Sequence, residues 1–80
     1  MKKAAFIGVG NMGGALARGA CRALGPDQLI LFNRTAAKAE ALAEELGCAV
    51  AGSAADAVWA AEYIFLGVKP AGLRRLREEL

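Results

Sequence analysis

Four apolar runs punctuate the chain, and between them apolar residues return every three or four positions. The first run, Ala4 to Val9, is unbroken, the pattern of a strand covered on both faces. From Asn11 to Leu24 the spacing predicts a helix, with Met12, Leu16, Gly19, Ala20 and Ala23 inward and Arg18 and Arg22 on the other side. Gly25-Pro26 stops it. Leu29 to Phe32 is a second short strand, ending at Asn33-Arg34-Thr35. Thr35 can cap a further helix that runs to Leu46, with Ala39, Leu42, Ala43 and Leu46 inside and Lys38, Glu40, Glu44 and Glu45 outside.

Gly47 terminates that helix, and Cys48 to Ala51 is a weak strand. Ser53 and Asp56 have the spacing of a capping box for a short helix through Trp59. Tyr63 to Val68 is the next buried strand, with Tyr63 expected in the sheet core and its hydroxyl at the rim. Lys69-Pro70 closes this strand, and residues 71–80 read as a helix. The alternation β-α-β-α-β-α-β-α with short connections predicts an α/β fold: a parallel sheet with right-handed crossovers and helices on both faces, the N-terminal half of a doubly wound domain. In the order 3-2-1-4, the carboxyl ends of the first and fourth strands flank the switch point. That brings Gly10, Asn33 and Lys69 to one edge of the sheet.

The turn after the first strand gives this edge its chemistry. Gly8-Val9-Gly10-Asn11-Met12-Gly13 fits G-x-G-x-x-G at a strand-to-helix junction, the context that makes the pattern informative. Gly8 permits a sharp turn, Gly10 has no Cβ to hold phosphates off the backbone, and Gly13 lets helix and strand approach closely. The helix N-terminus then offers unpaired N–H groups and a partial positive charge to an anion. These features predict a Rossmann-like dinucleotide site. An acidic residue about 20 positions beyond the glycines ordinarily accepts hydrogen bonds from an NAD ribose. Here the position 20 beyond Gly13 is Asn33, followed by Arg34 and Thr35, with Lys38 a turn further on. An amide, a guanidinium and a hydroxyl without a carboxylate favour a 2′-phosphate, hence NADP(H) over NAD(H).

Composition narrows the remaining classes. With 80 residues the chain forms one domain, 1–80, short of a two-domain enzyme. A formal charge of +2 argues for no nucleic-acid or membrane partner. Met1-Lys2-Lys3 imitates a signal peptide, but the apolar run behind it is too short and is broken by glycines, so a cytoplasmic location is expected. Cys21 and Cys48 lack metal-ligand spacing and are expected as buried free thiols; no metal site is predicted. The absence of histidine excludes a Ser-His-Asp or Cys-His arrangement. Arg74, Arg75 and Arg77 followed by Glu78 and Glu79 read as a solvated helix face. Leu73, Leu76 and Leu80 form an apolar stripe, and Trp59 is read as packing or a partner contact.

Ile7-Gly8-Val9-Gly10-Asn11-Met12-Gly13-Gly14-Ala15-Leu16-Ala17, then Asn33-Arg34-Thr35 with Lys38, then Phe65-Leu66-Gly67-Val68-Lys69-Pro70, resembles the N-terminal domain of pyrroline-5-carboxylate reductase across the whole chain. The resemblance implies NADPH-dependent reduction of 1-pyrroline-5-carboxylate to L-proline. It also implies that Gly8 to Gly13 cradle the pyrophosphate and that Asn33 and Arg34 meet the adenosine ribose phosphate; Thr35, beside its capping role, is a further cofactor-binding candidate there. Gly67, Val68, Lys69 and Pro70 would line the path to the nicotinamide. The imine substrate and homo-oligomer contacts would belong to a helical C-terminal domain of the full-length protein, so that this chain alone is expected to be inactive.

The chain departs from that pattern in three places. Ala54 stands where a cofactor-contacting asparagine is common, Glu62 where aspartate is common, and Gly67 where alanine is usual. Hydride transfer places the difficult chemistry on the cofactor, so no catalytic side chain is assigned, and Lys69 before Pro70 is read as shaping its loop. Two alternatives remain open: a dehydrogenase of the 3-hydroxyacid or ketopantoate type, and a non-catalytic NADPH-binding module.

Overall fold

In the computed structural model the described residues are 1–67 and 77–78. Strands β1 (Lys2–Ile7), β2 (Leu29–Phe32), β3 (Ala49–Val50) and β4 (Ala61–Leu66) form one parallel sheet in the order β3-β2-β1-β4. Between them run helices α1 (Asn11–Leu24), α2 (Ala36–Leu46) and α3 (Ala54–Ala60), with a 3₁₀ turn over Pro26–Gln28. This is the Rossmann-like α/β arrangement that the alternation of patterns predicts.

Because side chains alternate across a strand, β1 supplies both sheet faces. Ala4 and Phe6 join Leu29 and Leu31 under α1 and α2, against Ala17, Ala39, Leu42 and Ala43. Ala5 and Ile7 join Ile30 on the opposite face, against Ala54 and Ala57 of α3. Phe6 lies level with Leu31 of β2 and Phe65 of β4. Its ring stacks on Phe65 with centroids 4.9 Å apart and planes 8° from parallel. A central strand buried on both faces thus positions the turn that leaves its carboxyl end.

Several helix boundaries follow from local chemistry. Gly25 and Gly47 close α1 and α2 at φ values of 91° and 76°, where a Cβ is disfavoured. Ser53 Oγ accepts a 3.0 Å hydrogen bond from the Asp56 N–H, capping α3 as the spacing predicts. Thr35 occupies the cap position of α2, but its side chain makes no capping bond. The strands are offset from their predicted limits. β1 ends at Ile7 because Gly8 turns the chain at φ 91°, and β4 starts at Ala61, directly after α3.

The inward face of α1 is a correction. The buried residues are Gly13, Gly14 and Ala17, whereas Met12 is 78% exposed and Leu16 53% exposed. Close helix–sheet contact selects for absent side chains, so the small stripe goes inside and the large apolar residues stay out. Tyr63 is 59% exposed rather than in the core, because β4 is an edge strand; its ring lies beneath Lys3 Nζ at 5.2 Å. Trp59 projects into solvent. Cys21 and Cys48 are free and half-buried. Cys21 Sγ donates a 3.7 Å bond to the Leu46 carbonyl, and burial pushes the Cys48 thiol above its ordinary pKa.

Candidate functional site

The site grows from the carboxyl end of β1. The Gly8 N–H donates to the Phe32 carbonyl at 2.8 Å, tying the start of the turn to the end of β2. A Cβ on Gly13 would strike the Gly8 carbonyl oxygen, so helix α1 reaches the strand end only because Gly13 has none. Gly10 is different: a Cβ built there meets nothing within 4 Å. Its φ of −70° is open to any residue. Backbone conformation at φ 91° therefore accounts for Gly8 and packing for Gly13, but neither explains Gly10, and the open space above it is what a closely approaching phosphate needs.

Helix α1 begins with Gly10 as its cap, and the first backbone bond runs from the Gly14 N–H to the Gly10 carbonyl at 2.7 Å. No side chain caps this end and no acidic residue lies in its first turn. The N–H groups of Asn11, Met12 and Gly13 precede the first helical bond and remain available as donors. Open donors, the positive end of the helix dipole and the room above Gly10 fit the pyrophosphate of a dinucleotide.

Asn33 closes the other side. Its Oδ1 accepts a 3.0 Å hydrogen bond from the Val9 N–H, and its Nδ2 donates to the Thr35 carbonyl at 3.0 Å. The side chain expected at the ribose phosphate thus braces the glycine turn against the β2 loop. Arg34 and Thr35 are exposed on the same loop. Arg34 borders a cleft of about 430 Å³ lined also by Phe32, Asn33, Glu40, Val50 and Gly52. A second cleft, of about 420 Å³, runs between α1 and α2 from Gly10 and Asn11 past Lys38 to Arg18 and Glu45.

The structure brings Gly8, Val9, Gly10, Asn11, Gly13 and Asn33 together, and Gly67 joins them through its N–H to the Ile7 carbonyl at 2.8 Å. Met12 offers the site its backbone, its side chain being largely exposed. Val68, Lys69 and Pro70 lie outside the described residues, as does the predicted helix over 71–80 apart from helical Arg77 and Glu78.

Arg18 and Glu45 are the residues of the α1–α2 cleft that sequence reasoning missed. Arg18 Nε and Nη2 bond Glu45 Oε2 and Oε1 at 2.7 and 3.2 Å. Their mutual hydrogen bond holds the Glu45 carboxyl below its usual range and raises the Arg18 guanidinium. Each was legible as an outward-facing charge, but the crossing of two helices that joins them was not. Among the described residues no cluster of metal ligands occurs, and no helix is long and apolar enough to cross a membrane.

A protein-family model described as "NADP oxidoreductase coenzyme F420-dependent" matches residues 3–80. The chain belongs to this family. It is an NAD(P)-dependent oxidoreductase domain, and the open glycine turn lies where such a domain needs to hold a dinucleotide. A search of curated proteins finds no match.

Proposed function

We propose that this chain is the cofactor-binding domain of a pyrroline-5-carboxylate reductase, using NADPH to reduce the C=N bond of 1-pyrroline-5-carboxylate to L-proline. The observation that carries the cofactor choice is the end of β2. Asn33, Arg34 and Thr35 bring an amide, a guanidinium and a hydroxyl to the end of β2, where an NAD-selecting carboxylate ordinarily stands; the carboxylate that lines the neighbouring cleft, Glu40, belongs to α2. The substrate assignment rests on the combined Gly-Asn-Met-Gly, Asn-Arg-Thr and Val-Lys-Pro segments.

When bound, the dihydronicotinamide supplies a hydride to the imine carbon of the protonated substrate, giving the amine and the oxidised cofactor. The task of the chain's residues is to bind and orient. Gly10 gives the pyrophosphate room, and the N–H groups of Asn11, Met12 and Gly13 hold its charge. Arg34 and Thr35, with Lys38, meet the 2′-phosphate, while Asn33 keeps the turn and the loop in register. Gly67, Val68, Lys69 and Pro70 lead toward the nicotinamide. No side chain of residues 1–80 acts as a catalytic group in this reading. Imine binding and subunit contacts belong to a helical domain beyond residue 80, and the enzyme works as a cytoplasmic homo-oligomer.

The test is NADPH oxidation, followed by absorbance, when the full reading frame meets pyrroline-5-carboxylate, with NADH run in parallel. Turnover favouring NADPH supports the whole reading. Turnover favouring NADH keeps the reductase and rejects the 2′-phosphate argument. Oxidation of NADPH by oxidised coenzyme F420, by a 3-keto acid or by ketopantoate, with none by pyrroline-5-carboxylate, moves the protein to another reaction on the same fold. Tight NADPH binding with no turnover points to a sensing module.

A further inference from the structure

The carboxamide of Asn33 stands between the two parts of the site and uses both of its ends on the protein. Its Oδ1 accepts from the Val9 N–H in the glycine turn at 3.0 Å, and its Nδ2 donates to the Thr35 carbonyl at 3.0 Å. That carbonyl also accepts the Lys38 N–H, in the first turn of α2, at 3.0 Å. One hydrogen-bonded path therefore runs from Val9 through Asn33 and Thr35 to Lys38. A carboxamide completes it because the path needs an acceptor on one arm and a donor on the other. An aspartate would set an oxygen against the Thr35 carbonyl, and an alanine would take the acceptor away from the Val9 N–H.

We propose that Asn33 is a positioning residue that makes the two anion-binding parts of the cofactor site cooperate. A 2′-phosphate held at Arg34, Thr35 and Lys38 orders the glycine turn for the pyrophosphate, and a pyrophosphate held at the turn orders the loop for the 2′-phosphate. The inference rests on the reading of this edge as a dinucleotide site. A ligand group that fixes the backbone from Thr35 to Lys38 fixes the Asn33 amide, and the amide fixes Val9, so the second anion meets a segment already ordered by the first. Coupling of this kind is reciprocal. A dinucleotide without the 2′-phosphate then loses the contacts of the loop and, with them, part of its hold at the turn. The Gly8 N–H also joins the turn to β2 by its 2.8 Å bond to the Phe32 carbonyl, but that bond ends on the last residue of the strand, before the loop begins.

Amide hydrogen exchange of the full protein, alone and saturated with adenosine 2′-monophosphate, tests this, because that probe carries the 2′-phosphate and lacks the pyrophosphate. The reporter is the Gly14 N–H, bonded to the Gly10 carbonyl at 2.7 Å. The reference for general stabilisation is the Gly25 N–H, bonded to the Cys21 carbonyl at the other end of α1. In the parent the probe is expected to slow Gly14 at least fivefold more than Gly25, and in Asn33→Ala, saturated likewise, to slow the two equally. No excess slowing in the parent overturns the inference. So does an excess that survives in Asn33→Ala, which would put the coupling on the bond between Gly8 and Phe32. A parent that binds NADPH but not the probe overturns it too and leaves the turn as a dinucleotide site, whereas a parent that binds neither overturns both. If Asn33→Ala does not fold or does not take the probe, Asn33→Asp decides. It keeps an acceptor for Val9 and breaks the bond to Thr35, so loss of the excess at Gly14 supports the proposal and its retention overturns it.

Discussion

The Asn33 side-chain oxygen accepts a 3.0 Å hydrogen bond from the backbone N–H of Val9, joining the end of β2 to the middle of the glycine turn across 24 residues of sequence. Val9 is buried, so its N–H has no ready alternative in solvent. Asn33→Ala is expected to lower stability by about 1–3 kcal/mol, the cost of a buried donor left without a partner. Asn33→Asp keeps an acceptor for Val9 and recovers part of that loss. It also places a carboxylate beside the 2′-phosphate position, so the preference shifts from NADPH toward NADH. Urea unfolding and paired titrations with the two cofactors read both effects.

Gly13→Ala puts a Cβ into the Gly8 carbonyl, where no flexible side chain can yield. The expected loss is about 3 kcal/mol or more, at the upper end for overpacking because backbone must move. Thermal unfolding measures it. A variant as stable as the parent would show that α1 does not seat against the end of β1 as described.

Glu45 gives the fold an acid-dependent contact between α1 and α2. The hydrogen bond from Arg18 lowers the folded-state pKa of Glu45 below its unfolded value. The contribution is therefore present above the ordinary glutamate value of about 4.3 and is lost as pH falls through the lower folded value. Both side chains are about half exposed, so salt weakens the contact. In Glu45→Gln the melting temperature should fall less steeply than in the parent between about pH 5 and the acid end of the curve. Identical slopes would remove the ion pair from the account.

Much of this architecture was legible in the chain. Unbroken apolar runs marked the strands, Gly25 and Gly47 marked helix ends, and the usual doubly wound order 3-2-1-4 is the order β3-β2-β1-β4 observed. The inner face of α1 was not legible from apolarity. Met12 and Leu16 follow helical spacing, yet the stripe that touches the sheet is Gly13, Gly14 and Ala17, because contact distance and not hydrophobicity decides there. Tyr63 carried a core pattern, but the edge position of β4 exposes it. At the site, the motif located Gly8, Gly10 and Gly13 and assigned each its role. It could not show that the Asn33 amide braces the turn, that Gly67 meets the Gly8 oxygen, or that Arg18 pairs with Glu45. Each of these depends on where two separated segments cross.

Gly10 offers the most direct test of whether the turn is a cofactor cradle or a packing device. A methyl group at that position meets no protein atom within 4 Å and needs no unusual backbone angle, so Gly10→Ala should change stability by no more than about 1 kcal/mol. The same methyl group would stand where the pyrophosphate approaches the backbone. Titration of NADPH against the parent and Gly10→Ala, with thermal unfolding of both, should show an affinity loss of at least tenfold at nearly unchanged stability. Equal NADPH affinity in the two proteins would contradict the central claim that this turn holds the dinucleotide.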